Sequence, residues 1–317
     1  MRPDYILPLR WDAATSRREL PELTAYLERL HEWADVVVVD GSAEPLLAEH
    51  HRAWSPLVRH IAPEGAPTPN GKVAGVLTGI RATGRPHIVI ADDDVRYSQE
   101  ELADVVARLE RAGLVAPQNH FRPLPWHARW DTARSLLNRA LGNDYPGTLA
   151  VRRELAVDGY RGDVLFENLE LMRTVEARGG TIEHAKDLFV ERRPPTVRHF
   201  QSQRVRQAYD SFAQPVRLAA ELALLPALLL QARAPKGYVV WVAAAVAVAA
   251  RGRQVDGGSR VYPRSAPLWA PAWVLERAST AWIALGWRAA GGVRYAGGRL
   301  RHAASSPSQL RRASSAG

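Results

Sequence analysis

Three consecutive carboxylates, Asp92, Asp93 and Asp94, follow the apolar run His87–Ala91 in HIVIADDDVRYS. Like charges this close repel, so the run is either a solvated acidic turn or a place prepared for a cation. Asp92 and Asp94 flank one residue at the end of an expected strand. Oxygen donors of this kind suit a hard divalent ion, Mg²⁺ or Mn²⁺, whose shell is completed by water and substrate phosphate. Asp40 ends the valine run VVVVDGS, where a carboxylate can accept hydrogen bonds from a base or ribose, or simply serve a turn before glycine. Lys72, one of only three lysines among 42 basic residues, opens the helical pattern of NGKVAGVLTGI. Amide donors at a helix start together with an ammonium can hold anionic oxygens, although a solvated surface lysine fits the same position. No G-x-x-x-x-G-K-[ST] run occurs and no G-x-G-x-x-G follows the first strand, which excludes a P-loop and a dinucleotide fingerprint.

The elements that must position these residues alternate. YILPL (Tyr5–Leu9) reads as a buried strand, followed by a helix with Leu20, Leu23, Leu27, Leu30 and Trp33 at three- and four-residue spacing. ADVVVVD (Ala34–Asp40) is apolar almost throughout, as a parallel strand covered on both faces requires. A helix through Pro45–Trp54, a strand near Leu57–Ile61 and a helix over Lys72–Arg81 lead to His87–Ala91. Ser98 with Glu101 forms a capping box for a helix reaching about Ala112, and LVAP (Leu114–Pro117) is the next strand. Ser135–Leu141, Glu167–Ala177 and Thr181–Val190 continue the mixed pattern. The fold class is α/β, a mixed sheet flanked by helices, with its crevice at the carboxyl ends of the strands.

After about Gln214 the composition changes. Leu218–Leu230 and Tyr238–Ala250 are apolar, with Arg217, Arg233, Lys236, Arg251 and Arg253 at their ends, and Ala266–Trp287 carries four tryptophans. The two apolar runs are shorter than the roughly 20 residues that span a bilayer. Tryptophan with flanking arginine favours short interfacial or membrane-embedded helices over a helical subdomain packed on the first domain. The expected organisation is a catalytic domain over 1–213, a membrane-associated helical region over 214–303 and a disordered tail over 304–317. The formal charge of +9 is compatible with nucleic acid, an anionic membrane or phosphorylated substrates, and no nucleic-acid motif supports the first. The absence of cysteine excludes disulfides, thiolate metal sites and a cysteine nucleophile. MRPDYILPLRW lacks an apolar run of signal-peptide length, so the first domain is expected on the cytoplasmic side.

Five segments in order resemble the family-2 glycosyltransferases, which have the GT-A fold and move a sugar from a nucleotide diphosphate. They are ILPLRW, VVVVDGS for VVDDGS, GKVAGVLTGI, IADDDV for the D-x-D strand end, and FENLELMRTVEARGG for the E-D-x-x-L segment, joined by SQRVRQAYDSF for Q-x-x-R-W. The resemblance covers roughly residues 3 to 212. It implies that Pro8, Asp40, Lys72, Asp92 and Asp93 line the nucleotide-sugar site. It makes Asp94 the principal metal ligand, shared with Asp92, with His199 as a further metal or phosphate ligand or a structural histidine. Gln203, Arg204 and Arg206 would meet the diphosphate and the acceptor entrance. Two departures stand out. Asn168 replaces the aspartate that often supplies the base, and an amide takes no proton at neutral pH. Glu167 is then the candidate base, with Glu170 and Asp163 as alternatives; Glu167 can equally be a carboxylate that favours a helix N-terminus. Gln207 stands in place of the motif's tryptophan, against polymer synthesis.

The implied reaction is transfer with inversion, in which a metal and nearby cations stabilise the leaving diphosphate and one carboxylate takes the acceptor proton. GGVRYAGGRLR (Gly291–Arg301) resembles the closing W-R-G-x-R-Y segment of ceramide glucosyltransferases and their hopanoid-linked relatives, with Tyr295 and Ala296 departing from it. The expected acceptor is therefore a lipid or polyprenyl-type hydroxyl at the membrane. A non-catalytic sugar-nucleotide-binding module, a soluble or polysaccharide acceptor, and nucleotidylyl transfer are the alternatives.

Overall fold

The computed structural model describes residues 1–65, 68–231, 234, 236–295 and 298–314. Arg233 and Ala296 lie outside them. Eight strands form one sheet: β1 (Asp4–Leu9), β2 (Asp35–Asp40), β3 (Arg59–Ile61), β4 (His87–Ala91), β5 (Val95–Arg96), β6 (Leu114–Phe121), β7 (Thr148–Arg152) and β8 (Ile182–Arg192). Their order is β3-β2-β1-β4-β7-β6-β8-β5. The first four are mutually parallel, β7 is antiparallel to both β4 and β6, β6 runs parallel to β8, and β5 runs antiparallel to β8. The mixed sheet is thus as expected, but the central antiparallel strand β7 was not anticipated.

The helices of this domain are α1 (Ala13–Leu30), α2 (Leu46–Trp54), α3 (Gly71–Ala82), α4 (Gln99–Arg108), α5 (Trp126–Leu141), α6 (Arg153–Ala156), α7 (Glu167–Ala177) and α8 (Val197–Tyr209). Ser98 and Glu101 form the reciprocal capping box at the start of α4. Strand periodicity sorts the core. Tyr5, Leu7 and Leu9 pack on one face with Leu23, Leu27 and Trp54, while Ile6 turns to the other face with Val37, Val39, Val76, Ile80 and Leu171. On that second face α3 lies unusually close to β1. A Cβ on Gly79 would come 2.4 Å from Ile6 Cγ2, and one on Gly75 would come 2.9 Å from Pro8 Cβ. Two glycines one turn apart therefore let the helix bearing Lys72 settle onto the strand. Pro8 belongs to this packing: it is buried in β1, opposite Val39.

The region after residue 214 is helical, with α9 (Pro215–Gln231), α10 (Gly237–Gln254) and α11 (Ala270–Ala289). Of these, α10 packs on α5, α11 packs on α5 and α8, and α9 packs on α11. Gly252 of α10 is in such close contact with α5 that an added Cβ would overlap Leu136 O. A hairpin of β9 (Val293–Tyr295) and β10 (Gly298–Leu300) returns the chain to α7, where Leu165 and Phe166 N–H donate to His302 O and Ala303 O at 3.0 and 2.8 Å. The chain expected as a disordered tail from 304 is folded over its described residues, which reach Ser314. Ser305 N–H donates to Glu170 at 2.6 Å, and α12 (Pro307–Ser314) follows with Leu310 buried. Its order comes from docking on α7, which local composition does not reveal. Among the described residues no helix is long and apolar enough to cross a membrane.

Candidate active site

The carboxyl ends of β4 and β8, the start of α3, the start of α7 and one side of α8 enclose a cavity of about 280 Å³. Asn70 caps α3 by accepting from Lys72 N–H at 3.1 Å, which turns the lysine toward the sheet. Lys72 Nζ then reaches Asp92 Oδ1 at 2.5 Å and Glu167 Oε1 at 2.6 Å. Burial works against the ammonium charge, but these two carboxylates outweigh it and raise the lysine well above its usual range. Lys72 is therefore no solvated surface residue: it joins the end of β4 to the start of α7.

The acidic triplet divides its work. Both oxygens of Asp94 accept from Arg192 Nε at 2.9 Å, and Asp92 Oδ2 accepts from Arg192 Nη2 at 3.2 Å. One guanidinium thus bridges the two carboxylates, which converge on a single cationic centre. Asp93 turns the other way and accepts from the indole N–H of Trp11. Burial, then the charge of Asp94, push its carboxyl up to about 6. Asp94 is also raised, mainly by burial, with Arg192 acting in the opposite direction. The triplet sits against glycine for a steric reason. A Cβ on Gly147, just before β7, would lie 2.7 Å from Asp92 Oδ2 and 3.0 Å from Arg192 Cζ.

Asp40 is placed differently from expectation. Its side chain is sealed from solvent, accepting from His50 Nδ1 at 2.6 Å, His60 Nε2 at 3.2 Å and Ser42 N–H at 2.8 Å. Burial alone would raise it, but these hydrogen bonds, led by that from His60, bring it down to about 2. With its oxygens so engaged it organises the end of β2, and direct nucleoside contact does not follow from this geometry. Pro8 likewise packs under α3 and does not border the cavity.

On α8, Gln203 and Arg206 line the cavity, with the Arg206 guanidinium 4.8 Å from the Tyr295 ring centroid. Arg204, on a different face of the same helix, is buried against Asp131 at 2.8 Å and leaves the predicted trio. His199, one turn before Gln203, makes a close contact with its amide and lies within electrostatic reach of Asp94. Burial, then Arg206, lower its pKa. At α7, Glu167 and Asn168 face the cavity, and Asn168 donates to Pro146 O at 2.8 Å. Glu170 does not share that face; it is fully buried under Ser305. Asp163 pairs with Arg161 at 2.6 Å, outside the cavity lining.

Several lining residues escaped the sequence reading: Arg134, Arg192, Asp210, Arg217 and Arg277. Arg192 had a signal, the paired arginines that close β8 in VERRPP. The others come from elements whose approach to the site is set by tertiary packing. Among the described residues no group of three His, Cys, Asp or Glu side chains forms a ready metal cage. The bridged pair Asp92 and Asp94 nonetheless fits a divalent ion that draws its remaining ligands from water and substrate, because its oxygens already meet at one cation.

Residues 15–158, which span β2 to β7 and include Asp40, Lys72 and the acidic triplet, match the model of glycosyl transferase family 2. The chain carries a family 2 glycosyltransferase domain. Among curated proteins no sequence matches the transferase. Its fold is similar to that of the mannosyltransferase PcManGT from Pyrobaculum calidifontis, in complex with GDP-Man and Mn²⁺. That likeness has a TM-score of 0.50 and 18% identity over 93% of this chain and 77% of the other. A second solved structure is glucosyl-3-phosphoglycerate synthase from Mycobacterium tuberculosis, in complex with Mn²⁺, uridine-diphosphate and glucosyl-3-phosphoglycerate. It aligns with a TM-score of 0.42 and 18% identity over 63% of this chain and 75% of that one. Against the family pattern, the glycosyltransferase keeps the acidic strand end and the glycine–lysine segment, and departs at Asn168 and Gln207.

Proposed function

We propose that this glycosyltransferase moves a sugar, with inversion, from a UDP- or GDP-sugar to a hydroxyl of a lipid or polyprenyl-type acceptor at a membrane surface. The observation that carries the donor side is the network of Lys72, Asp92, Glu167 and Arg192, which faces Gln203 and Arg206 across one cavity. Anionic oxygens entering there meet Lys72, Arg192 and Arg206, and these cations offset the charge that develops on the departing diphosphate. The cofactor is a divalent metal, held by Asp94 and Asp92, with His199 nearby; when bound it supplies Lewis-acid stabilisation of the leaving group. Gln203 and Gln207 add uncharged hydrogen-bonding groups to the cavity.

Support for the acceptor class comes from the outer surface of the helical region. Leu229 and Leu230 close α9 and are 64% and 62% exposed; Val239 and Val240 open α10 and are 71% and 68% exposed. Leu275, Trp282 and Ile283 of α11 add further exposed apolar surface. The Tyr238 hydroxyl donates to Leu228 O at 2.8 Å, so the ends of α9 and α10 are joined as one apolar tip, with Lys236 exposed between them. Apolar surface of this extent with a basic neighbour suits the boundary between headgroups and acyl chains, with the helices lying on the membrane. The corresponding location is the cytoplasmic face.

A thermal-shift screen with UDP- and GDP-sugars, with and without Mn²⁺, tests the donor side. One donor class should stabilise the protein in a metal-dependent way, and D94A should abolish that response. Transfer of label to a lipid extract tests the acceptor. Because Asn168 occupies the usual base position, a sugar-nucleotide-binding module is the competing reading. Donor binding without any hydrolysis or transfer would favour it.

A further inference from the structure

The proposed transfer leaves a chemical gap, because the acceptor hydroxyl must lose a proton and Asn168 cannot take it. Glu167, beside it, is committed to Lys72 at 2.6 Å. Asp163 pairs with Arg161, and Glu170, whose Oε2 accepts from Ser305 N–H while its Oε1 has no partner, lies with Asp163 outside the cavity lining. Another carboxylate, Asp210, lines the same cavity as Lys72, Asp92 and Glu167. It begins the short 3₁₀ turn Asp210–Ala213 that follows α8, one turn of chain beyond Arg206. Its Oδ1 is closed off from solvent and has no hydrogen-bond partner in the protein. A buried carboxylate oxygen without a donor is costly, and Asp210 is the residue that combines such an oxygen with a place in the cavity lining among the described carboxylates.

We propose that Asp210 is the catalytic base of the transfer, supplied by the segment after α8 in place of the aspartate that α7 lacks. The inference rests on the glycosyltransferase reading of the cavity. In the step it describes, the acceptor O–H proton passes to a carboxylate oxygen of Asp210 as the acceptor oxygen bonds to the anomeric carbon. The bond from that carbon to the diphosphate breaks, and its electron pair leaves with the diphosphate.

The surroundings suit the task. Burial, then the charge of Glu167 on α7, push the Asp210 carboxyl up to about 7; Arg206 on α8, Arg277 on α11 and Arg217 on α9 pull it down, and Arg134 on α5 faces it as well. A base is most effective when its pKa lies near the working pH. Of the three carboxylates that line the cavity, Asp92 and Glu167 are tied to Lys72 and Asp210 has no hydrogen-bonded cation, which separates structural charges from a proton acceptor.

The test compares D210N and E167Q with the wild-type chain for donor cleavage, with transfer to water counted alongside transfer to lipid, across pH 5 to 9. The wild-type rate should rise as pH passes through about 7, where the carboxylate is freed of its proton. D210N should lower kcat by about 10²–10⁴-fold and lose that limb, while binding the donor in the thermal-shift assay as well as wild type does. E167Q should weaken donor binding and keep the limb. Loss of the limb in E167Q with D210N still active, or loss of donor binding in D210N, would overturn the assignment while leaving the transferase reading intact. Absence of donor cleavage in all three, wild type included, would remove the transferase reading itself.

Discussion

At the scale of single residues, Arg192 and Asp210 define how charge is distributed in the cavity. Arg192 neutralises Asp92 and Asp94 from a side chain about one-quarter exposed. Replacing it by glutamine leaves two facing carboxylates without their shared donor, which should cost about 1–3 kcal/mol and lower Tm by several degrees. Mn²⁺ supplies the missing positive charge, so it should raise the Tm of R192Q by more than that of wild type. Equal shifts would show that the guanidinium and the ion do not share a place. Asp210 also links stability to pH. Its carboxyl is raised to about 7 in the fold, against about 4 in an unfolded chain, so between those values the folded state binds more protons. Its contribution is complete below about pH 4 and is lost as pH rises through about 7. In D210N that part of the decline in Tm should vanish; a profile identical to wild type would refute the assigned environment.

At the scale of elements, two glycines separate packing from chemistry. Gly79 lets α3 approach β1, and an added methyl at 2.4 Å from Ile6 has no room. G79A should cost about 1–3 kcal/mol through overpacking, and should weaken donor binding because α3 carries Lys72. Gly147 stands in ordinary backbone space, and an added methyl would press on Asp92 and Arg192, not on the core. G147A should therefore keep a Tm near wild type and lose donor affinity. A large fall in Tm for G147A with normal donor affinity would contradict the placement of β7 against the acidic triplet.

For the whole molecule, the decisive feature is the apolar tip where α9 meets α10, held on the catalytic domain by α5 and α11. Leu229 and Val240 are exposed in the protein, so the double change L229E/V240E should leave Tm unaltered. Burying such side chains in a bilayer contributes roughly 1.5–3 kcal/mol each, so binding to anionic liposomes should fall at least tenfold. Flotation with liposomes measures this directly, and unchanged binding of the variant would remove the tip as the membrane contact.

The alternating strand and helix pattern and the cap at Ser98 were legible in the sequence, because each depends on local periodicity or spacing, whereas the grouping of Lys72 with the acidic triplet came through the family resemblance. Sequence could not show that Asp40 is enclosed by His50 and His60, nor that Arg204 faces Asp131, since one helix presents several faces and only packing selects among them. The strand β7 was hidden for a similar reason: TLAVR is short, and its place between β4 and β6 is a long-range choice. By itself the sequence determined which chemical groups were available, and offered Asp92 and Asp94 either as a solvated acidic turn or as a place for a cation. Tertiary structure alone decided which charges share the cavity. Arg192 arrives through the pairing of β8 with β5, and Asp210 arrives at the end of α8 opposite Glu167. These partners lie 98 and 43 residues apart along the chain, beyond the reach of any local pattern.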